Sequence, residues 1–181
     1  MESDERLRLF SALLLPPAAV DTVVAWQAVE LDPAGRDLRI VPRENLHVTL
    51  AFLGSTLAAE VGKVVDALRE SCAGRERPVF AARRYRETRS VAMIELADEG
   101  GRGGAIATAL FGALEARGLY RREERRWLPH VTVARFRSPP RLSPALPDLG
   151  EVAPSDAAVM ISCLRPGGAQ YEVFESVSLG G

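Results

Sequence analysis

Two short segments, Asn45-Leu46-His47-Val48-Thr49-Leu50-Ala51-Phe52-Leu53-Gly54 and His130-Val131-Thr132-Val133, constrain this chain more than any other feature. They hold its only two histidines, and each histidine is followed two residues later by threonine. In an extended chain successive side chains point to opposite faces, so His47 and Thr49 share one face while Val48, Leu50 and Phe52 share the other. The same parity puts His130 with Thr132 and sends Val131 and Val133 inward. One copy would read as an ordinary half-buried strand histidine. Threonine occurs at only six positions, Thr22, Thr49, Thr56, Thr88, Thr108 and Thr132. Chance would therefore place it after both histidines roughly once in a thousand chains of this composition, before allowing for strand bias and for choosing the pattern after seeing it. The doubling points to a pair with a joint role.

The 181 residues, 47% of them hydrophobic, suit one domain with an ample core. A net charge of −1 makes any nucleic-acid contact local and leaves no basis for tight non-specific DNA binding. Lys63 is the only lysine among 23 basic residues, a bias that weakens any single arginine as a phosphate signal. Cys72 and Cys163 are too few for a disulfide framework and fit a reducing cytoplasm, where the protein is expected. The apolar run Leu9–Leu15 follows acidic Glu2, Asp4 and Glu5 and ends at Pro16-Pro17, unlike a signal peptide. No stretch has the roughly 18 apolar residues of a membrane span, so a soluble protein without a membrane partner is expected.

In order, the pattern predicts a strand over Arg6–Leu15, a helix over Ala18–Glu30 broken by Asp32-Pro33-Ala34-Gly35, and a short strand over Leu38–Val41. The first His-x-Thr strand spans about Leu46–Leu53, with a turn and simple cap at Gly54-Ser55-Thr56. A helix carrying Val61, Val64, Val65 and Leu68 follows and ends near Cys72-Ala73-Gly74. Pro78–Arg86 and Ser90–Ala97 form a hairpin. The run Gly100-Gly101-Arg102-Gly103-Gly104 before a helix over Ala105–Arg117 matches no phosphate-binding fingerprint and reads as a flexible helix start. Arg121-Arg122-Glu123-Glu124-Arg125-Arg126 reads as a solvated loop. After the second His-x-Thr strand, His130 to about Phe136, the proline-rich stretch Ser138–Pro154 is expected to be irregular, and Ala157–Leu164 and Tyr171–Leu179 close the chain as a hairpin around Pro166-Gly167-Gly168. One His-x-Thr strand in each half suggests two similar lobes whose sheets face one another across a cleft.

An imidazole near its ordinary pKa of about 6.5 can take or give a proton at neutral pH. Two facing imidazoles suit an in-line displacement at phosphorus, one acting on water and one on the leaving oxygen, with threonine hydroxyls bonding the phosphoryl oxygens. A metal site is the rival for a histidine pair, but catalytic zinc takes three protein ligands and no carboxylate stands at a suggestive spacing. A GxSxG elbow for a serine hydrolase is missing.

Asn45–Gly54 and Pro129–Arg135 (PHVTVAR) resemble the two signature motifs of the two-histidine (2H) phosphoesterase superfamily, specifically the RNA 2′,3′-cyclic phosphodiesterases formerly called 2′-5′ RNA ligases. Arg8-Leu9-Phe10 is similar to that family's first strand, and Ser162 to Tyr171 to its closing hairpin. The resemblance implies an α+β, two-lobed LigT-like fold with two mainly antiparallel sheets facing a cleft and helices outside, residues 1–181 forming one domain. It implies hydrolysis of an RNA terminal 2′,3′-cyclic phosphate to a 2′-phosphate without metal or cofactor, by a monomer. His47 would be the proton donor and His130 the acceptor; Thr49 and Thr132 would hold phosphoryl oxygens, and Phe10 and Tyr171 would line the cleft. Arg135 matches the family's motif arginine, yet strict alternation turns it away from His130 unless a bulge re-aims it. Small cyclic nucleotides or ADP-ribose cyclic phosphate as substrates, 2′-5′ ligation, and a non-catalytic RNA-end binding module remain alternatives. The intact histidine pair argues against the last, since binding alone needs no matched acid and base.

Overall fold

The computed structural model describes residues 5–31, 37–121, 123 and 125–180. The expected break at Asp32–Gly35 and part of the Arg121–Arg126 run lie outside the described residues. Among these residues, eight strands and three α-helices follow one another as β1 (Arg6–Leu14), α1 (Pro17–Trp26), β2 (Leu38–Ile40), β3 (His47–Leu57), α2 (Val61–Cys72), β4 (Phe80–Glu87), β5 (Val91–Asp98), α3 (Arg102–Ala116), β6 (His130–Phe136), β7 (Asp156–Arg165) and β8 (Gly168–Ser178).

The expected pair of facing sheets is instead one strongly curled antiparallel sheet, in the order β4-β5-β6-β3-β1-β7-β8, with β2 beside β6. The two His-x-Thr strands are neighbours within it. They meet at a narrow seam, the single register pair Val48↔Val131, because β3 and β2 share one edge of β6: β3 takes Val131, and β2 takes Ala134 to Phe136. The closing hairpin attaches to β1 through β7, so strands from both halves of the sequence lie on each side of the seam. Local periodicity cannot reveal such long-range pairing, which is why the sequence suggests two sheets.

Strand β1 sits between β3 and β7 and is buried on both faces. Leu9 and Leu13 enter the main core, while Phe10 and Ala12 pack with Ala158 and Met160 in a smaller cluster on the opposite face. That double burial explains an unbroken apolar run where a one-sided strand would alternate. Pro17 occupies the first turn of α1, where its missing N–H costs nothing, and α1 runs on into a π-helical turn over Gln27–Leu31. In α2, Val61, Val64, Val65, Leu68 and Cys72 form the buried stripe; in α3 it is Ile106, Ala107, Leu110 and Leu114.

The glycine run before α3 is occupied by the protein itself. Asp98 accepts the N–H groups of Gly103 and Gly104 at 2.9 and 2.7 Å, filling the site where an anion would sit. Gly103 is required by packing, because a Cβ there would stand 2.6 Å from the Phe80 ring. The expected turn and cap at Gly54–Thr56 does not form. Pairing with β1 carries β3 through to Leu57, Arg6 bonds both Ser55 Oγ and Ser55 O, and Thr56 is buried, so sheet pairing overrides the local turn preference.

Candidate active site

A cavity of about 660 Å³ opens over the seam, lined by both threonines, His47, Phe10, Arg135 and Tyr171 among other residues. Six of the seven residues singled out from the sequence therefore share one wall. The seventh, His130, is half-buried beside it, close enough that its charge bears on His47. Carrying the antiparallel register one residue either side of Val48↔Val131 sets His47 opposite Thr132 and Thr49 opposite His130. All four then lie on the face opposite the buried valines, with the two histidines as diagonal neighbours about 7–8 Å apart at Cβ.

Each imidazole is held in the same way. His47 Nδ1 donates to the carbonyl of Asn45 and His130 Nδ1 to that of Leu128, both at 2.8 Å and both two residues upstream. A carbonyl only accepts, so in the neutral ring Nε2 carries the lone pair. At His47 that nitrogen accepts the Thr49 hydroxyl at 3.0 Å. The supporting backbone is itself tied down: Asn45 Nδ2 donates to Ala169 O at the closing hairpin, and Trp127 Nε1 donates to Thr49 O at 3.0 Å, linking the approach to β6 with β3.

Around His47 the packing is aromatic. Phe10 lies 5.0 Å away by ring centroids and Tyr171 5.4 Å, edge-on. Phe10 is only 2% exposed, so its ring supports the imidazole and leaves little surface for a ligand. Burial pushes the His47 pKa down to about 4, against the raising effect of the Asn45 carbonyl, and the charges of His130 and Arg135 lower it further. His47 is thus neutral at pH 7.

Two β-bulges shape the rest of the wall. On β6, Met93 pairs with Thr132 and Ala92 with Ala134, leaving Val133 as the extra residue. On β3, Ala12 pairs with Thr49 and Ser11 with Ala51, leaving Leu50 extra at the corresponding position. A further bulge leaves Leu53 extra. Each bulge after the threonine resets the alternation, and the fifth residue after each histidine turns to the cavity: Arg135 in one strand, Phe52 in the other. Arg135 is re-aimed as the bulge condition required. Phe52, expected on the core face with Val48 and Leu50, is instead 54% exposed in the cavity wall.

Sequence reasoning also missed Gln27. Its buried side chain donates to Val133 O at 2.8 Å and Val41 O at 3.1 Å, reaching the bulged carbonyl that Val41 N also meets. A single glutamine in a helix gives no local signal; only its place in the π-helical turn marks it. Glu95, missed as well, is fully buried opposite His130 in the β5–β6 register and held by Arg84 and Arg86. The Arg84 hydrogen bond, more than any other influence, keeps its carboxyl below the usual range.

The arrangement belongs to a class of fold with solved relatives. The structure of TT0787 from Thermus thermophilus matches at TM-score 0.81 and 28% identity, covering 97% of this chain and 99% of that one. The structure of E. coli LigT complexed with 3'-AMP matches at TM-score 0.79 and 21% identity, over 98% of this chain and all of that one, a likeness of fold. The LigT like Phosphoesterase family model matches residues 13–88, which include the first histidine motif. The RNA 2',3'-cyclic phosphodiesterase of E. coli (strain K12) is 42% identical over 65 residues, and that alignment takes in 35% of this chain and 35% of the enzyme. The chain is a LigT-like phosphoesterase of the 2H superfamily, homologous to E. coli LigT.

Proposed function

We propose that the protein hydrolyses the 2′,3′-cyclic phosphate at an RNA end to a 2′-phosphate, using His47 and His130 as a proton-transferring pair. The observation that carries this reading is the matched pair of imidazoles on adjacent strands, each with Nδ1 fixed on a backbone carbonyl and Nε2 left for proton transfer. The name of the E. coli relative supports the substrate class, as does the nucleotide in the LigT complex.

In this mechanism His130 Nε2 takes the proton of an attacking water, the new P–O bond forms in line, and the P–O3′ bond breaks. His47 Nε2 gives its proton to the leaving 3′ oxygen. The Thr49 and Thr132 hydroxyls donate to the phosphoryl oxygens and Arg135 offsets their charge. His47 must be charged to act as donor, and the substrate itself provides for this: the negative charge of a phosphate beside the ring raises its pKa. Thr49, whose hydroxyl donates to Nε2 of the neutral ring, is then free to turn to the phosphate.

The test is incubation of an RNA ending in 2′,3′-cyclic phosphate, in EDTA, with wild type, His47→Ala and His130→Ala, the product being identified by chromatography. A 2′-phosphate from the wild type and severe loss in both variants is expected. Full activity in either variant, a 3′-phosphate product, or activity abolished by EDTA would sink the mechanism.

A further inference from the structure

Although acidic and basic residues nearly balance in the chain, 24 against 23, the described cavity wall has Arg8, Arg39 and Arg135 and no Asp or Glu. Among the described residues none of these three guanidiniums enters an ion pair. Arg39 and Arg135 stand directly opposite each other in the β2–β6 register, a like-charge pairing that costs energy until an anion lies between them. That pair suffices for the scissile phosphate. Arg8 is then surplus to a substrate with one phosphate.

Arg8 belongs to a different part of the wall. It lies on β1, opposite Ser55, and its guanidinium carbon is 5.8 Å from the centre of the Phe52 ring. Phe52 is the aromatic of this wall with most of its surface uncovered, because Phe10 is buried against His47. Three residues separate Phe52 from Thr49, at most about 10 Å of strand, which is within one nucleotide's reach of the phosphate position. A flat, exposed ring with a cation beside it has the chemistry that binds a base and the phosphodiester attached to it.

We propose that Phe52 and Arg8 form a subsite for the nucleotide preceding the one that carries the cyclic phosphate, Phe52 stacking its base and Arg8 meeting the connecting phosphodiester. This rests on the phosphodiesterase reading and adds to it the preference for an oligonucleotide over a mononucleotide.

The test compares a nucleoside 2′,3′-cyclic monophosphate with a dinucleotide ending in the same cyclic phosphate, for wild type, Phe52→Ala, Phe52→Tyr and Arg8→Gln. The wild type is expected to favour the dinucleotide by about tenfold or more in kcat/KM. Phe52→Ala should shrink that preference about 5- to 100-fold, the size of one base–aromatic stack, through KM, with Phe52→Tyr restoring it. Arg8→Gln should flatten the salt dependence of dinucleotide KM while leaving that of the mononucleotide as it is. Equal treatment of both substrates by the wild type, or equal losses on both in Phe52→Ala, would overturn the subsite. Should the wild type turn over neither substrate, the phosphodiesterase reading fails on its own. Binding of the dinucleotide to His47→Ala protein, measured by calorimetry with and without Phe52→Ala, then decides the subsite: weaker binding in the double variant upholds it and unchanged binding overturns it.

Discussion

The two histidine strands are built to one plan and finished differently. From the histidine onward, β3 and β6 share the same sequence of half-buried, buried, half-buried, buried, buried and exposed positions, and each carries a bulge one residue after its threonine. Their differences are concentrated at two places. His47 is enclosed by Phe10 and Tyr171 and bonded to Thr49, whereas His130 has the buried Glu95 as its cross-strand neighbour. The fifth residue is apolar in one strand and cationic in the other. A duplicated backbone thus supplies the symmetry that in-line chemistry needs, and the surroundings give each copy its own task.

The comparison is broken most directly by removing each imidazole. His47→Ala and His130→Ala should each lower kcat by about 10²- to 10⁴-fold, with the double variant little worse than either, because an acid and a base acting on one bond work as a unit. Multiplicative losses would show that the copies act independently.

The enclosure of His47 alone predicts a pH effect on stability. Its pKa is about 4 in the fold against an ordinary 6.5, so the unfolded chain binds more protons between those values. The fold therefore loses stability as pH falls through this window, the cost reaching about 3 kcal/mol below pH 4. Denaturant titrations from pH 7 to 4 should show a shallower fall in His47→Ala than in wild type, while His130→Ala keeps the wild-type slope. Equal slopes in wild type and His47→Ala would mean the ring is not closed off from water.

At the fifth position, Arg135→Gln should reduce kcat/KM about 10- to 100-fold on every cyclic phosphate substrate, the usual worth of a hydrogen bond to a charged group. A loss confined to longer substrates would place Arg135 with Phe52 and Arg8 instead. The smallest effect is expected from Gln27→Leu, which frees the bulged carbonyl of β6 while leaving the bulge of β3 intact. It should lower stability by about 1–3 kcal/mol and raise KM more than it lowers kcat, seen by thermal melts alongside steady-state kinetics.

Much of this is legible in the residues alone. Parity puts His47 with Thr49 and His130 with Thr132, and the helix stripes of α2 and α3 follow from spacing. Bulges defeat parity, and the expected place of Phe52 fails for that reason. The signal is present: Leu50-Ala51 and Val133-Ala134 each put two small or apolar residues in succession where alternation demands a change of face. Gln27, the Val48–Val131 seam and the shared edge of β6 depend on contacts between distant segments, which no local pattern records.

Because the imidazoles are spaced by a backbone pairing at the seam and by the Trp127 pin on Thr49 O, their separation owes nothing to the irregular loops or to the closing turn. Catalytic geometry and ligand selection are consequently carried by separate hardware. Replacing Arg8, Phe52 or the turn at Gly168 re-tailors which molecules enter, while the distance a proton must travel stays as the sheet set it.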